Sequence, residues 1–110
     1  MFTLFAYGTL QRPDIQLDLF QRTLQGVPDR LVGYRITAIN LATGDGHYQQ
    51  YPAIYATGDP RDVVEGQRFQ LTAAELQKAD EYEGESYQRV GVMLASVRPA
   101  WVYTVATSEA

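Results

Sequence analysis

Cysteine is absent from the 110 residues, which excludes disulfides, thiolate metal sites and cysteine nucleophiles together. Histidine occurs once, at His47, too few for a histidine-rich metal site or a catalytic pair. Set in a glycine-rich turn, that residue reads as a solvated loop position rather than a ligand. Basic residues are scarce and scattered: 9 Lys and Arg stand against 13 Asp and Glu, for a net charge of −4. A nucleic-acid surface is therefore not expected. No stretch approaches the roughly 18 apolar residues of a membrane span. Met1 leads straight into a strand-like run without a basic segment, so no signal peptide is expected and the cytoplasm is the expected location. Calcium-loop spacing is missing around "DEYEGESY", and "YGTL" lacks the Gly-x4-Gly-Lys pattern of a phosphate loop.

What is present describes an ordinary globular chain, 45% hydrophobic and 20% charged. Its length suits a single domain over residues 1–110 with one core. Tyrosine is the abundant residue, with eight copies beside one tryptophan. Such aromatics either fill strands or line a small-molecule cleft, and composition alone favours the former.

The pattern along the chain predicts about six strands and two helices. "FTLFAY" reads as a first strand that stops at an aromatic residue followed by Gly8. Such a glycine marks either a tight turn or a place where something approaches the backbone closely. "RPDIQLDLFQRTLQG" predicts a short amphipathic helix, with Leu17, Phe20 and Leu24 on one face and Gly26 as its stop. "RLVGYRITAINL" predicts one strand with Gly33 as a bulge. The segment from about Leu41 to Gln50 reads as the one long irregular loop, a possible flap. Strands follow in "YPAIYATGD" and "RDVVEGQRFQL". "TAAELQKADEYEG" is a helix with Thr72 as N-cap, Glu75 completing a capping box and Gly84 as the stop. "YQRVGVMLASV" and "AWVYTVAT" close the chain as strands. The sum is α+β, a small mixed β-barrel of about six strands with flanking helices.

Glu83 is the position where chemistry is expected. The inward stripe of its helix runs Leu76, Ala79 and then a carboxylate where an aliphatic side chain would fit. Desolvation, the helix C-terminus and the neighbouring acids Asp80, Glu81 and Glu85 are all expected to raise its pKa. A carboxyl group so tuned can serve as a general base or acid near neutral pH. The competing reading is an acidic surface cluster on a fraying last turn.

"AYGTL", "YPAIYATG", "VVEGQRFQL" and "ADEYEGESYQR", in that order, resemble the γ-glutamylcyclotransferase-like family, also called AIG2-like. The likeness covers nearly the whole chain and is closest to a small-domain branch similar to the γ-glutamylamine cyclotransferases. The resemblance implies a small mixed barrel with helices outside it, and a cleft at the Tyr-Gly-Thr-Leu loop. It implies that backbone N–H groups of Tyr7, Gly8, Thr9 and Leu10 receive the oxygens of a γ-glutamyl substrate. It also implies one catalytic glutamate, falling on Glu83. Tyr87, shortly after that segment, and Tyr103, in the last strand, are expected in the pocket neighbourhood or its support, where aromatics with a polar tip can order a carboxylate. The activity implied is conversion of a γ-glutamyl-amine or related compound to 5-oxoproline and free amine, without cofactor or metal, by a monomer or homodimer. The sequence departs from the family pattern where Pro13 and Gln16 stand in its usual Gly and Asn slots, at Ala79-Asp80, and at Gln67-Arg68-Phe69. A non-catalytic module that binds a small metabolite, or a scaffold built on the same fold, stays open at this level.

Overall fold

The computed structural model describes residues 1–106. Strand β1 (Phe2–Ala6) is followed by a 3₁₀ turn (Thr9–Gln11) and helix α1 (Pro13–Phe20). Strands β2 (Val27–Val32), β3 (Tyr34–Ala42), β4 (Tyr48–Ala56) and β5 (Val63–Leu71) come next. Helix α2 (Ala73–Glu83) and strands β6 (Tyr87–Met93) and β7 (Pro99–Val105) complete the described chain. The fold is mixed α+β, as expected.

Five strands form one sheet in the order β2-β5-β1-β7-β6, and β3 and β4 form a separate two-stranded ribbon. All neighbours are antiparallel except β1 and β7. The sheet is not a closed barrel. It curls until the β6–β7 turn meets the far edge, where Ala95 N donates to Arg30 O at 2.8 Å and Ser96 Oγ to Asp29 Oδ2 at 2.5 Å.

Strand β1 lies at the centre of the sheet, and this explains its apolar run from Leu4 to Ala6. Alternation along it sends Leu4 and Ala6 to one face and Phe5 to the other. Leu4 and Ala6 join Phe20, Phe69, Leu71, Leu76 and Ala79 under the helices. Phe5 joins Leu31, Ile54, Val64 and Val102, a second core covered by the ribbon.

Several sequence expectations change here. The strand expected from Arg30 to Leu41 is two strands, because Gly33 turns the chain with φ +87 and sends β2 and β3 to different sheets. A side chain at that φ is disfavoured, so glycine allows the corner. Gly33 is held there by bonds to Asp62, Thr57 and Gly58. Among the described residues the count is therefore seven strands rather than about six. Helix α1 ends at Gln21, in the left-handed region with φ 58, before the expected stop at Gly26. Leu17 is 56% exposed and Leu24 lies beyond the helix, so only Phe20 of the expected stripe is buried within α1. The expected long loop shrinks to residues 43–47, since pairing extends to Ala42 and Tyr48.

Helix α2 follows its sequence signals. Thr72 Oγ1 accepts from Glu75 N at 3.2 Å, and Glu75 Oε1 accepts from Thr72 N at 2.9 Å. Arg22 closes on the same carboxylate at 2.7 and 2.8 Å. These contacts pin the start of α2, and its packing through Leu76 and Ala79 fixes where its last turn sits.

Candidate active site

Strand β1 ends beside the ribbon, and the chain turns there into the 3₁₀ segment. Gln11 N donates to Gly8 O at 3.1 Å and Arg12 N to Thr9 O at 2.9 Å. A turn of this kind leaves its first amides without partners inside the turn. Gly8 has φ −120 and ψ −140, so the left-handed region does not account for it. Pro52 does: a Cβ at position 8 would lie 3.3 Å from its ring carbon. The close approach suspected from the sequence is thus made, in this structure, by strand β4.

Beneath the turn lies Gln16, 2% exposed in α1. Its side-chain amide donates to Leu10 O at 2.9 Å, and its carbonyl accepts from Leu24 N at 2.8 Å. Both ends of a buried amide are satisfied, and the carbonyl side of the turn is held from inside the core. Gln16 therefore supports the turn from inside the core.

Glu83, on the last turn of α2, opens on the same cavity as the turn. The cavity measures about 240 Å³, and Tyr7, Gly8, Thr9, Leu10, Glu83, Tyr87 and Tyr103 all line it. Every residue singled out from the sequence thus reaches one space. Phe5, Ala6, Leu41, Ala42, Tyr51, Pro52 and Tyr82 line it as well, and sequence reasoning did not find them. Leu41, Ala42, Tyr51 and Pro52 belong to the ribbon. The "YPAIYATG" motif and the possible flap from about Leu41 were the signals pointing there.

Burial pushes the Glu83 carboxyl up to about 7. Of the three effects expected from the sequence, burial is the one that carries the rise. Asp80 is engaged by Arg89, at 2.8 and 3.2 Å, while Glu81 and Glu85 are exposed. None of the ion pairs among the described residues involves Glu83. Among the described residues no group of three His, Asp or Glu side chains is arranged to hold a metal.

The tyrosines tie the cavity wall together. Tyr7 OH donates to Tyr103 O at 2.6 Å, Tyr87 OH to Pro52 O at 2.8 Å, and Tyr103 OH to Asp80 Oδ1 at 2.7 Å. Thr9 Oγ1 and Tyr82 OH share a bond of 2.9 Å, joining the turn to the end of α2. Burial, and then the charge of Glu83, pushes the Tyr87 hydroxyl up to about 12. Burial followed by the Asp80 bond and charge raises Tyr103 further, and burial followed by Tyr87 and Glu83 raises Tyr7. These phenols stay protonated near neutral pH and serve as donors.

Tyr103→Phe removes one donor from Asp80 and leaves the ring. A loss of about 1 kcal/mol is expected, since the half-exposed carboxylate keeps Arg89 and gains water. Urea denaturation reads it directly. An unchanged midpoint would show that the bond contributes nothing to holding the end of α2.

A family model described as γ-glutamyl cyclotransferase, AIG2-like, matches residues 4–110. Two Arabidopsis thaliana proteins solved in solution are similar. One is 28% identical with a TM-score of 0.68, covering 94% of this chain and 60% of its own. The other is 25% identical with a TM-score of 0.71, covering 94% and 68%. A solved γ-glutamyl cyclotransferase is 18% identical with a TM-score of 0.76, covering 98% and 68%, a likeness of fold. The chain thus spans 60% of the first relative's length and about two thirds of the other two. No curated protein sequence matches.

Proposed function

The chain belongs to the γ-glutamyl cyclotransferase, AIG2-like family, and from that premise we propose that it converts a γ-glutamyl-amine or related γ-glutamyl compound to 5-oxoproline and free amine. The observation that carries this reading is the meeting of a half-buried carboxyl group and a turn of backbone amides in one small cavity.

A γ-glutamyl group brings its own nucleophile, because its α-amine can reach the γ-carbonyl to close a five-membered lactam. The protein need only fold that chain, stabilise charge and move protons. In this reading the amides of the Tyr7–Leu10 turn receive the α-carboxylate and the carbonyl oxygen, as a concave set of donors can. Glu83 takes a proton from the α-ammonium, and the freed amine attacks the γ-carbon. The bond from that carbon to the departing nitrogen then breaks as Glu83 returns the proton. Two protons leave the α-nitrogen in all, and both end on the product amine, which departs as an ammonium ion. Tyr87 and Tyr103 would order the cavity around the carboxyl group.

A carboxyl group with a pKa of about 7 is poised for both transfers. Only its ionised form can begin the cycle. kcat/KM is therefore expected to rise with pH through about 7 and to level above it. A profile that stays flat across that range would detach Glu83 from the first step. The activity itself is tested by incubating the protein with a panel of γ-glutamyl-amines, γ-glutamyl amino acids and peptides and measuring 5-oxoproline. Product from none of them would remove the cyclotransferase reading.

A further inference from the structure

We propose that Arg89 is a positioning residue for Glu83, acting through Asp80: it holds the last turn of α2 and offsets the negative charge beside Glu83. The proposal rests on the cyclotransferase reading, in which Glu83 must ionise to begin the cycle.

Behind the cavity lies a second space of about 360 Å³, lined by Asp80, Gly84, Tyr87, Arg89, Trp101 and Tyr103. Tyr87 and Tyr103 line both spaces and so stand between them. Register puts Arg89 of β6 opposite Tyr103 of β7, so both side chains leave the sheet on one face. Trp101, two residues before Tyr103, shares that face, and the Arg89 guanidinium carbon lies 4.4 Å from its ring centre. From that seat Arg89 donates twice to Asp80, from Nε to Oδ1 at 2.8 Å and from a terminal nitrogen to Oδ2 at 3.2 Å. Tyr103 OH adds a third bond at 2.7 Å. The Asp80 carbonyl in turn accepts from Gly84 N at 3.1 Å and closes the helix. Sheet and helix end are thus joined at the residue one turn before Glu83.

Residues three apart on a helix are neighbours, with about 5–6 Å between their Cβ atoms. An unpaired Asp80 would therefore set a second negative charge beside Glu83 and oppose its ionisation. The other neighbours do not offset that charge. Glu81 and Glu85 are exposed acids. The groups that share the cavity with Glu83 are phenols: Tyr82 on α2, Tyr7 after β1, Tyr51 on the ribbon, Tyr87 on β6 and Tyr103 on β7. No lysine, arginine or histidine is among the described residues that line the cavity. Arg89, just behind the phenols, is the cation placed to do it. Tyr103 lies within reach of all three charges: after burial, Asp80 and Glu83 raise its hydroxyl and Arg89 lowers it. At Glu83 itself burial carries the rise, as expected where Asp80 and Arg89 offset each other.

Neutral substitutions test the pair in opposite senses. Arg89→Gln leaves Asp80 unpaired, and the pH midpoint of Glu83 is expected to rise by at least about half a unit. Asp80→Asn leaves the cation unpaired, and the midpoint is expected to fall. The double variant is expected to return near the wild-type value. The midpoint is read from the carbon-13 shift of the Glu83 carboxyl group and from the pH profile of kcat/KM. Loosening of the helix end would expose Glu83 and lower the midpoint in every variant, so a rise is what a merely structural role would not give. Should Arg89→Gln alone not fold, the step from Asp80→Asn to the double variant is expected to give the same rise and decides the matter. No rise in that step, or none in a folded Arg89→Gln protein, overturns the proposal and leaves the cyclotransferase reading standing. Release of 5-oxoproline from no member of the substrate panel removes that reading, and the carbon-13 midpoints still decide whether Arg89 offsets the charge beside Glu83.

Discussion

Replacing Glu83 by glutamine is expected to lower the release of 5-oxoproline by about 10²–10⁴-fold, the usual cost of losing a positioned general base. The amide matches the carboxyl group in shape, so the cavity should keep its form. It cannot accept the ammonium proton, so the first transfer has no acceptor. The Tyr7–Leu10 turn is untouched, and binding of 5-oxoproline should persist. Stability should respond in the opposite sense to activity. The folded carboxyl holds its proton up to about pH 7, whereas its ordinary value is 4.5. Below both values the folded and unfolded forms are protonated alike, and burial costs no charge. Between them the unfolded chain ionises first, so wild-type stability falls as pH rises and the loss levels off above about 7. Glutamine removes that loss, which is on the order of 2 kcal/mol for a partly exposed group. The variant should melt like the wild type at about pH 4 and above it at about pH 8. Melting curves at both pH values, 5-oxoproline titration and turnover together test the assignment. Turnover within a few-fold of wild type would take Glu83 out of the mechanism.

Gly66→Ala is expected to cost about 3 kcal/mol or more of stability, by overpacking against backbone that cannot yield. Gly66 lies in β5 beside the end of β1. A Cβ there would stand 2.3 Å from Ala6 O and 2.9 Å from the Phe5 ring. Side chains can rotate away from such a contact, but the Ala6 carbonyl is part of the central strand. Relief requires β1 and β5 to part where Ala6 pairs with Gln67. Ala6 also lines the cavity and directly precedes Tyr7, so ligand binding should weaken together with stability. Gly91→Ala is the control. Its Cβ would meet only the Trp101 ring at 3.9 Å, an ordinary contact, so a change within about 0.5 kcal/mol is expected. Urea midpoints for the two variants separate the cases. A Gly66→Ala protein as stable as wild type would mean that the strands part cheaply and that close approach is not why glycine stands there.

Local signals carried a large part of this protein. The capping box at Thr72 and Glu75 and the Gly84 stop bounded α2 within a residue, because each is satisfied by atoms a few positions away. The apolar run of β1 announced a strand, and Glu83 stood out because it interrupts the stripe of its own helix. The sequence alone therefore determined most of the elements, the mixed class and the residue where acid-base chemistry is expected. The motif order resembling the cyclotransferase-like family pointed to the turn after β1.

Tertiary structure decided the rest. Gly33 reads as a bulge until the pairing partners are known. Only the competing registers of β2 with β5 and β3 with β4 make it a corner between two sheets. The same step brings Leu41, Tyr51 and Pro52 over the end of β1 and turns an expected loop into a wall. Nothing within a few residues of Leu41 marks it as a neighbour of Glu83. Their proximity is fixed by a ribbon folding across a second core through Ile54, a balance of burial summed over distant strands. The carboxyl group's pKa follows the same division: its position on the helix is local, but its burial belongs to everything packed around it.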